Sequence, residues 1–205
     1  MHIAIIGAAG MVGSQIAAEA AARGHQVQGY TRSGRDTGSI ATQALQFTDT
    51  DAVARVINDS DATVVSVAGR DDYDAVVAAH KNLIAAKPTG RLLVVGGAGA
   101  LRVGDQRLLD SPEFPAEYLP EATAFAQVHE DYAASTGLNW TMIAPSPEIA
   151  PGVRTGQYVD GGDSPAGAFV STQDFAVAAL DEIENPAHAG GRFSVASADE
   201  AAARG

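Results

Sequence analysis

The 205-residue chain contains no cysteine, which excludes a disulfide framework, a thiolate nucleophile and a thiolate metal site. It is nearly free of lysine as well, with only Lys81 and Lys87, and 13 basic residues face 25 acidic ones. The resulting net charge of −12 repels nucleic-acid backbones, so no nucleic-acid partner is expected. Apolar runs stop well short of the roughly 20 residues that a membrane span needs, and the first residues lack the basic flank and cleavage site of a signal peptide. A cytoplasmic protein with no membrane partner is expected. His2, His25, His80, His129 and His188 are scattered, and no two share the three- or four-residue spacing that puts two imidazoles on one helix face. No metal site is therefore expected. A nucleophile elbow is missing too, because the nearest imitation, Gly162-Asp163-Ser164-Pro165-Ala166, lacks its final glycine.

What the chain does have is regular alternation. Apolar runs and breakers predict strands over 3–7, 27–31, 44–47, 63–68, 92–96, 140–144 and 192–196. Between them, alanine-rich stretches with apolar residues at three- and four-residue spacing predict helices over 11–23, 51–59, 73–86, 122–136 and 172–184. Strand alternating with helix implies a parallel sheet. Continuous runs such as Ile3-Ala4-Ile5-Ile6 and Leu92-Leu93-Val94-Val95 fit strands buried on both faces. The expected fold is a doubly wound α/β sheet of Rossmann type, one domain over 1–205 with a small C-terminal substrate-loop region. Stretches 98–120 and 145–169 follow strand carboxyl ends, where such sheets hold ligands, and are expected to form the substrate walls. The alanine-rich tail at 201–203 reads as frayed.

The strongest local signal is Gly7-Ala8-Ala9-Gly10-Met11-Val12-Gly13, lying between the first strand and the first helix. In that context Gly7 permits a tight exit from the strand, Gly10 lets backbone amides approach a pyrophosphate, and Gly13 lets the helix pack on the sheet. The helix start then offers free amides and a positive dipole end. Gly7, Ala9, Gly10, Met11, Val12 and Gly13 are thus candidates for binding a dinucleotide. The second strand ends in Tyr30-Thr31-Arg32-Ser33 rather than in the carboxylate that would grip the ribose of NAD. Arg32, with Thr31 and Ser33 as hydroxyl donors and Arg35 as a second cation, suits a 2′-phosphate, so NADP(H) is favoured over NAD(H). Asp36 competes for an NAD-type role. Asp49 after the third strand can meet adenine or simply cap a helix, and Ala68-Gly69 after the fourth can lie along the ribose and pyrophosphate or merely turn.

Taken with Val94-Val95-Gly96-Gly97-Ala98-Gly99, Pro112-Glu113-Phe114-Pro115, Leu138-Asn139-Trp140-Thr141 and Arg154-Thr155-Gly156-Gln157-Tyr158, the glycine turn resembles that of one subgroup. These are the NAD(P)H-binding atypical short-chain dehydrogenase/reductases, which include NADH-flavin-reductase-like, biliverdin IXβ/flavin-reductase-like and NmrA-like proteins. The resemblance covers nearly the whole chain and implies NADPH-dependent reduction of a flavin, quinone or related conjugated acceptor, with flavin as substrate. It places Gly97 and Ala98 under the nicotinamide, Pro145 and Ser146 in another wall, and Arg154 near an anionic acceptor. The Tyr-x-x-x-Lys pair of typical short-chain dehydrogenases is absent, and Ala100 stands where some relatives carry serine. No catalytic residue is assigned; Tyr132 and His129, on the helix that carries the tyrosine in other members, are the candidates. Expected partners are a small-molecule acceptor and, as an option, a second copy in a homodimer. A non-enzymatic NADP(H)-binding redox sensor acting through a protein partner is the alternative.

Overall fold

The computed structural model describes residues 1–35, 37–38, 40–69 and 72–205. In chain order the elements are β1 (His2–Ile6), α1 (Met11–Ala22), β2 (Gln26–Thr31), β3 (Ala41–Ala44), α2 (Thr50–Asn58), β4 (Ala62–Val65), α3 (Tyr73–Ala86) and β5 (Arg91–Val95). There follow β6 (Arg102–Val103), β7 (Gln106–Arg107), α4 (Leu119–Ala133), β8 (Asn139–Pro145), β9 (Glu148–Ala150), β10 (Tyr158–Gly162), β11 (Phe169–Ser171), α5 (Thr172–Glu184), β12 (Arg192–Ser197) and α6 (Glu200–Arg204). Eight strands form one sheet in the order β10-β12-β8-β5-β4-β1-β2-β3, parallel except for β10, which runs antiparallel to β12. Strands β9 and β11 pair separately, as do β6 and β7.

Side chains alternate across a strand, and this assigns the apolar runs to two layers. Ile3, Ile5, Val64 and Leu93 face α1 and α5, where Ile16, Phe175 and Leu180 meet them. Ile6, Val65, Leu92 and Val94 face the other way, toward Val53, Leu83, Val128 and Tyr132 on α2, α3 and α4. Each such aliphatic side chain contributes about 1.5–3 kcal/mol when fully buried, which is why both faces of these strands are apolar. The doubly wound architecture matches the expectation.

Three details differ from it. The third strand is Ala41–Ala44 rather than 44–47, and Phe47 instead turns into the core beside His80, ring centroids 4.8 Å apart. The loops at 98–120 and 145–169 carry the short strand pairs, and the second also supplies the edge strand β10. The alanine tail is helix α6: Asp199 caps it at Ala202 N, and Arg204 holds Glu148 at 2.8 and 2.7 Å while its guanidinium sits 3.9 Å from the Phe169 ring centroid. No helix among the described residues is long and apolar enough to cross a membrane.

Candidate functional site at the carboxyl edge of the sheet

Strand order reverses between β1 and β4: the chain proceeds outward from β1 through β2 to β3, then returns to β4 and continues the opposite way. Loops leaving the two strands diverge there and open a crevice, the position where doubly wound sheets take ligands. Gly7 leaves β1 at φ +92°, and a Cβ on it would lie 2.0 Å from the Ser66 carbonyl oxygen that follows β4. No other residue fits. A Cβ on Gly13 would lie 2.3 Å from the Gly7 oxygen, so α1 packs directly on the turn. Gly10 is different: its φ of −75° is ordinary, and its Cβ would meet only the Gly7 oxygen, at 3.2 Å.

The start of α1 is correspondingly bare. Gly10 is its N-cap, no side chain caps it, its first turn holds no acid, and its first helical bond is Ser14 N to Gly10 O. The amides of Met11, Val12 and Gly13 therefore precede the helical ladder and point out of the helix end. Four other helices fill such ends themselves, Asp49 capping α2, Asp72 α3, Ser171 α5 and Asp199 α6, while α4 also lacks a side-chain cap but holds Pro120 and Glu121 in its first turn. This places Asp49 as an exposed N-cap, its Oδ1 accepting from Ala52 N at 3.1 Å.

At the end of β2, Thr31 is buried, and its hydroxyl has no hydrogen-bond partner among the described residues. Arg32 and Ser33 are exposed beyond it, and the Arg32 carbonyl accepts from Gln46. Asp36, the competing acid, lies outside the described residues, as does Asp71 before α3. After β4, Ala68 is exposed, while Gly69 is buried against Tyr73 with its carbonyl accepting from Asp72 N.

After β5 the chain turns through 98–100. A Cβ on Gly96 would collide with Met142 Sδ at 2.8 Å and one on Gly99 with the Ala122 Cβ at 2.5 Å, but one on Gly97 would rest 3.5 Å from Phe125, an ordinary contact. The fold needs glycine at 96 and 99 and does not need it at 97. Around the turn stand Ala122, Phe125 and Leu109, none of which can give up a proton.

Five further residues named from the sequence have the following surroundings. Tyr132 is fully buried, its ring 5.3 Å from that of Trp140 near the start of β8, and so lies at the amino edge of the sheet, opposite the crevice. Its hydroxyl meets His80 Nδ1 at 3.2 Å; burial raises the tyrosine and lowers His80 to about 3, so this is a neutral pair within the core. His129, half-buried, is lowered to about 4 by burial and then by Arg192, leaving it a neutral imidazole beside the Arg192–Asp163 pair. Ser146 donates its hydroxyl to the Val195 carbonyl at 2.8 Å, and the adjoining Pro145 is the buried last residue of β8. Arg154 is clamped to Glu19 on α1, Nε to Oε2 at 2.8 Å and Nη2 to Oε1 at 2.9 Å, so its charge is neutralised by its own chain. For Tyr132 and Arg154, position along the chain says which element a side chain belongs to, not which way it faces.

The converse also holds, since three buried carboxylates were not anticipated. Glu19 is held at about 2 by Arg154 against the opposing effect of burial, with Arg23 assisting at 2.8 Å. Asp174, fully buried on α5, accepts from Thr155 N, the Thr155 hydroxyl, Gly156 N and the Ser197 hydroxyl, and so fixes the 151–157 loop. Glu182 joins Arg91, Thr141 and His188; burial would raise it, and the bonds from Ala187 N and His188 prevail and lower it. Each interrupts an apolar helix face, the one trace of this burial in the sequence.

Comparison with known proteins bears on the family and the fold. The sequence profile of the NAD(P)H-binding family matches residues 7–186. The uncharacterized protein YwnB of Bacillus subtilis is 37% identical, the match covering 98% of this chain and 100% of YwnB. A Streptococcus pneumoniae structure, provisionally described as an NADH-flavin reductase, is 29% identical and superposes with a TM-score of 0.84, covering 96% of this chain and 99% of the other. A short-chain dehydrogenase/reductase of Veillonella parvula in complex with NADP shares the fold at a TM-score of 0.70 and 14% identity, covering 97% and 95% of the two chains.

Proposed function

The chain belongs to the NAD(P)H-binding family, and from that premise we propose that it is an NADPH-dependent reductase of flavins, quinones or similar conjugated acceptors. The observation that carries the cofactor site is the bare start of α1, where the amides of Met11, Val12 and Gly13 and the positive helix end await an anion. Gly10 lets the pyrophosphate come close, with Gly7, Ala9 and Gly13 shaping the turn. At the end of β2 the 2′-phosphate meets Arg32, with Ser33 and the unpartnered Thr31 hydroxyl as donors, which favours NADPH over NADH. Ala68 and Gly69 line the path of the ribose and pyrophosphate, and Gly97 with Ala98 floors the nicotinamide, the one side-chain-sized space at the β5 turn that the fold leaves open.

When bound, the reduced nicotinamide supplies a hydride, two electrons with one proton, to the acceptor. The chain's task is to hold the two rings face to face and keep bulk away at Gly97. Ala98, Ala100, Ala122 and Phe125 surround the turn, so the balancing proton comes from solvent. A conjugated acceptor tolerates this, because its reduced form is protonated without a dedicated acid; an isolated carbonyl does not.

The test is NADPH oxidation followed by absorbance against riboflavin, a neutral quinone and an aldehyde. Turnover with the first two and not the third is expected, and Gly97→Ala, which the fold accommodates, should lower it about tenfold or more by displacing the ring. Tight NADPH binding with no turnover of any acceptor would instead favour a redox sensor.

A further inference from the structure

Resting on that reading, we propose that the acceptor site selects planar acceptors carrying no negative charge, neutral quinones and riboflavin, over anionic ones such as FMN. The wall that leaves β5 carries the signal. Residues 98–121 hold five carboxylates, Asp105, Asp110, Glu113, Glu117 and Glu121, against two arginines. Both arginines are engaged: Arg107 grips Asp110 at 2.8 and 2.9 Å and reaches Glu130 at 3.2 Å, and Arg102 lies 3.9 Å from Asp163 while donating to the Asp105 carbonyl.

The start of α4 adds to this. Its first turn is Leu119-Pro120-Glu121, so proline removes one amide and Glu121 adds a negative charge at the positive helix end, with Glu117 just ahead. Between these acids the surface is apolar, with Tyr118 57% and Leu119 41% exposed. Two arginines of the later loops are paired as well, Arg154 on Glu19 and Arg204 on Glu148. An apolar, acid-rimmed wall whose described arginines are paired attracts an uncharged ring and repels a phosphate ester. NADPH escapes this repulsion because its phosphates lie at the other half of the crevice, on α1 and β2.

Riboflavin and FMN form a matched pair, the same ring without and with a phosphate. Rates of NADPH oxidation should give a kcat/KM for riboflavin about tenfold above that for FMN at about 0.01 M salt, and the gap should narrow near 1 M, where charges are screened within a few ångströms. The triple variant Glu113→Gln/Glu117→Gln/Glu121→Gln should raise FMN turnover more than riboflavin turnover, and a neutral quinone should likewise outrun its sulfonated analogue. Equal or better use of FMN at low salt would overturn the proposal, and loss of that use in Arg70→Gln would give the anion handle to Arg70, which lies outside the described residues. Failure of both flavins and both quinones with NADPH binding intact is a different result: it overturns the reductase reading itself.

Discussion

Helices α1 and α4 both begin at the carboxyl edge of the sheet and neither has a side-chain cap, yet the first turn of one holds no acid and that of the other holds proline and Glu121. The first offers Gly10 and three unclaimed amides; the second offers proline, Glu121 and a 3-10 turn containing Glu117. On the reading proposed above, the same backbone dipole receives an anion in one half of the crevice and is opposed by an acid in the other. What separates the two is a handful of side chains, since the helices hang from the same sheet. On that proposal a strongly acidic protein binds an anionic cofactor at one point while refusing anions a short distance away.

The most drastic way to break this contrast is to make α1 resemble its neighbours. Gly10→Asp gives it the N-cap that Asp49 gives α2, and Gly10 already has the extended backbone that a cap requires. Dinucleotide affinity should fall by at least about 100-fold, through charge repulsion and lost access to the amides, while thermal stability is kept or rises. Calorimetric titration with a melting curve checks both, and undiminished affinity would dismiss the glycine turn as the phosphate site.

A milder change acts within the cofactor half. Arg32→Ala should weaken NADPH by about 10–100-fold, the equivalent of roughly 1–3 kcal/mol for a charge-assisted contact, and leave NADH nearly untouched. Equal losses for the two cofactors, measured side by side by fluorescence titration, would take the 2′-phosphate away from β2.

The smallest effect concerns the bond that ties the 151–157 loop to α1, Arg154 to Glu19. Folded, Glu19 titrates near about 2, against an ordinary 4.5, so the pair's contribution is whole above about 4.5 and drains away as pH falls toward 2. Glu19→Gln should cost about 1–2 kcal/mol at neutral pH, discounted because Arg154 is half exposed, and the urea midpoints of parent and variant should converge in acid. A gap that stays constant with pH would mean that packing, not charge, holds the loop.

The glycine turn was the more legible region in the sequence. Strand, glycine turn and helix are local, and their spacing alone puts Gly7, Gly10 and Gly13 together. The third strand was misplaced because Ala41–Ala44 is a mostly exposed edge with little apolar alternation, whereas Leu45 and Phe47 beyond it look like strand and pack as core. On the acceptor side the errors share a cause. Tyr132 and Arg154 stand on the expected elements, but their direction depends on partners more than 50 and 130 residues away, His80 and Glu19. The carboxylates Glu19, Asp174 and Glu182 read as solvated helix faces until the loops and strands that bond them are in place.

The hairpin of β6 and β7 pairs only with itself among the described residues, and its segment leaves β5 and enters α4 without adding a strand to the central sheet. For protein engineering the exposed tip at 103–106 is the part to vary: on the proposed reading an exchange there retunes what is reduced, while the anchors Leu101, Arg102 and Arg107 stay in place.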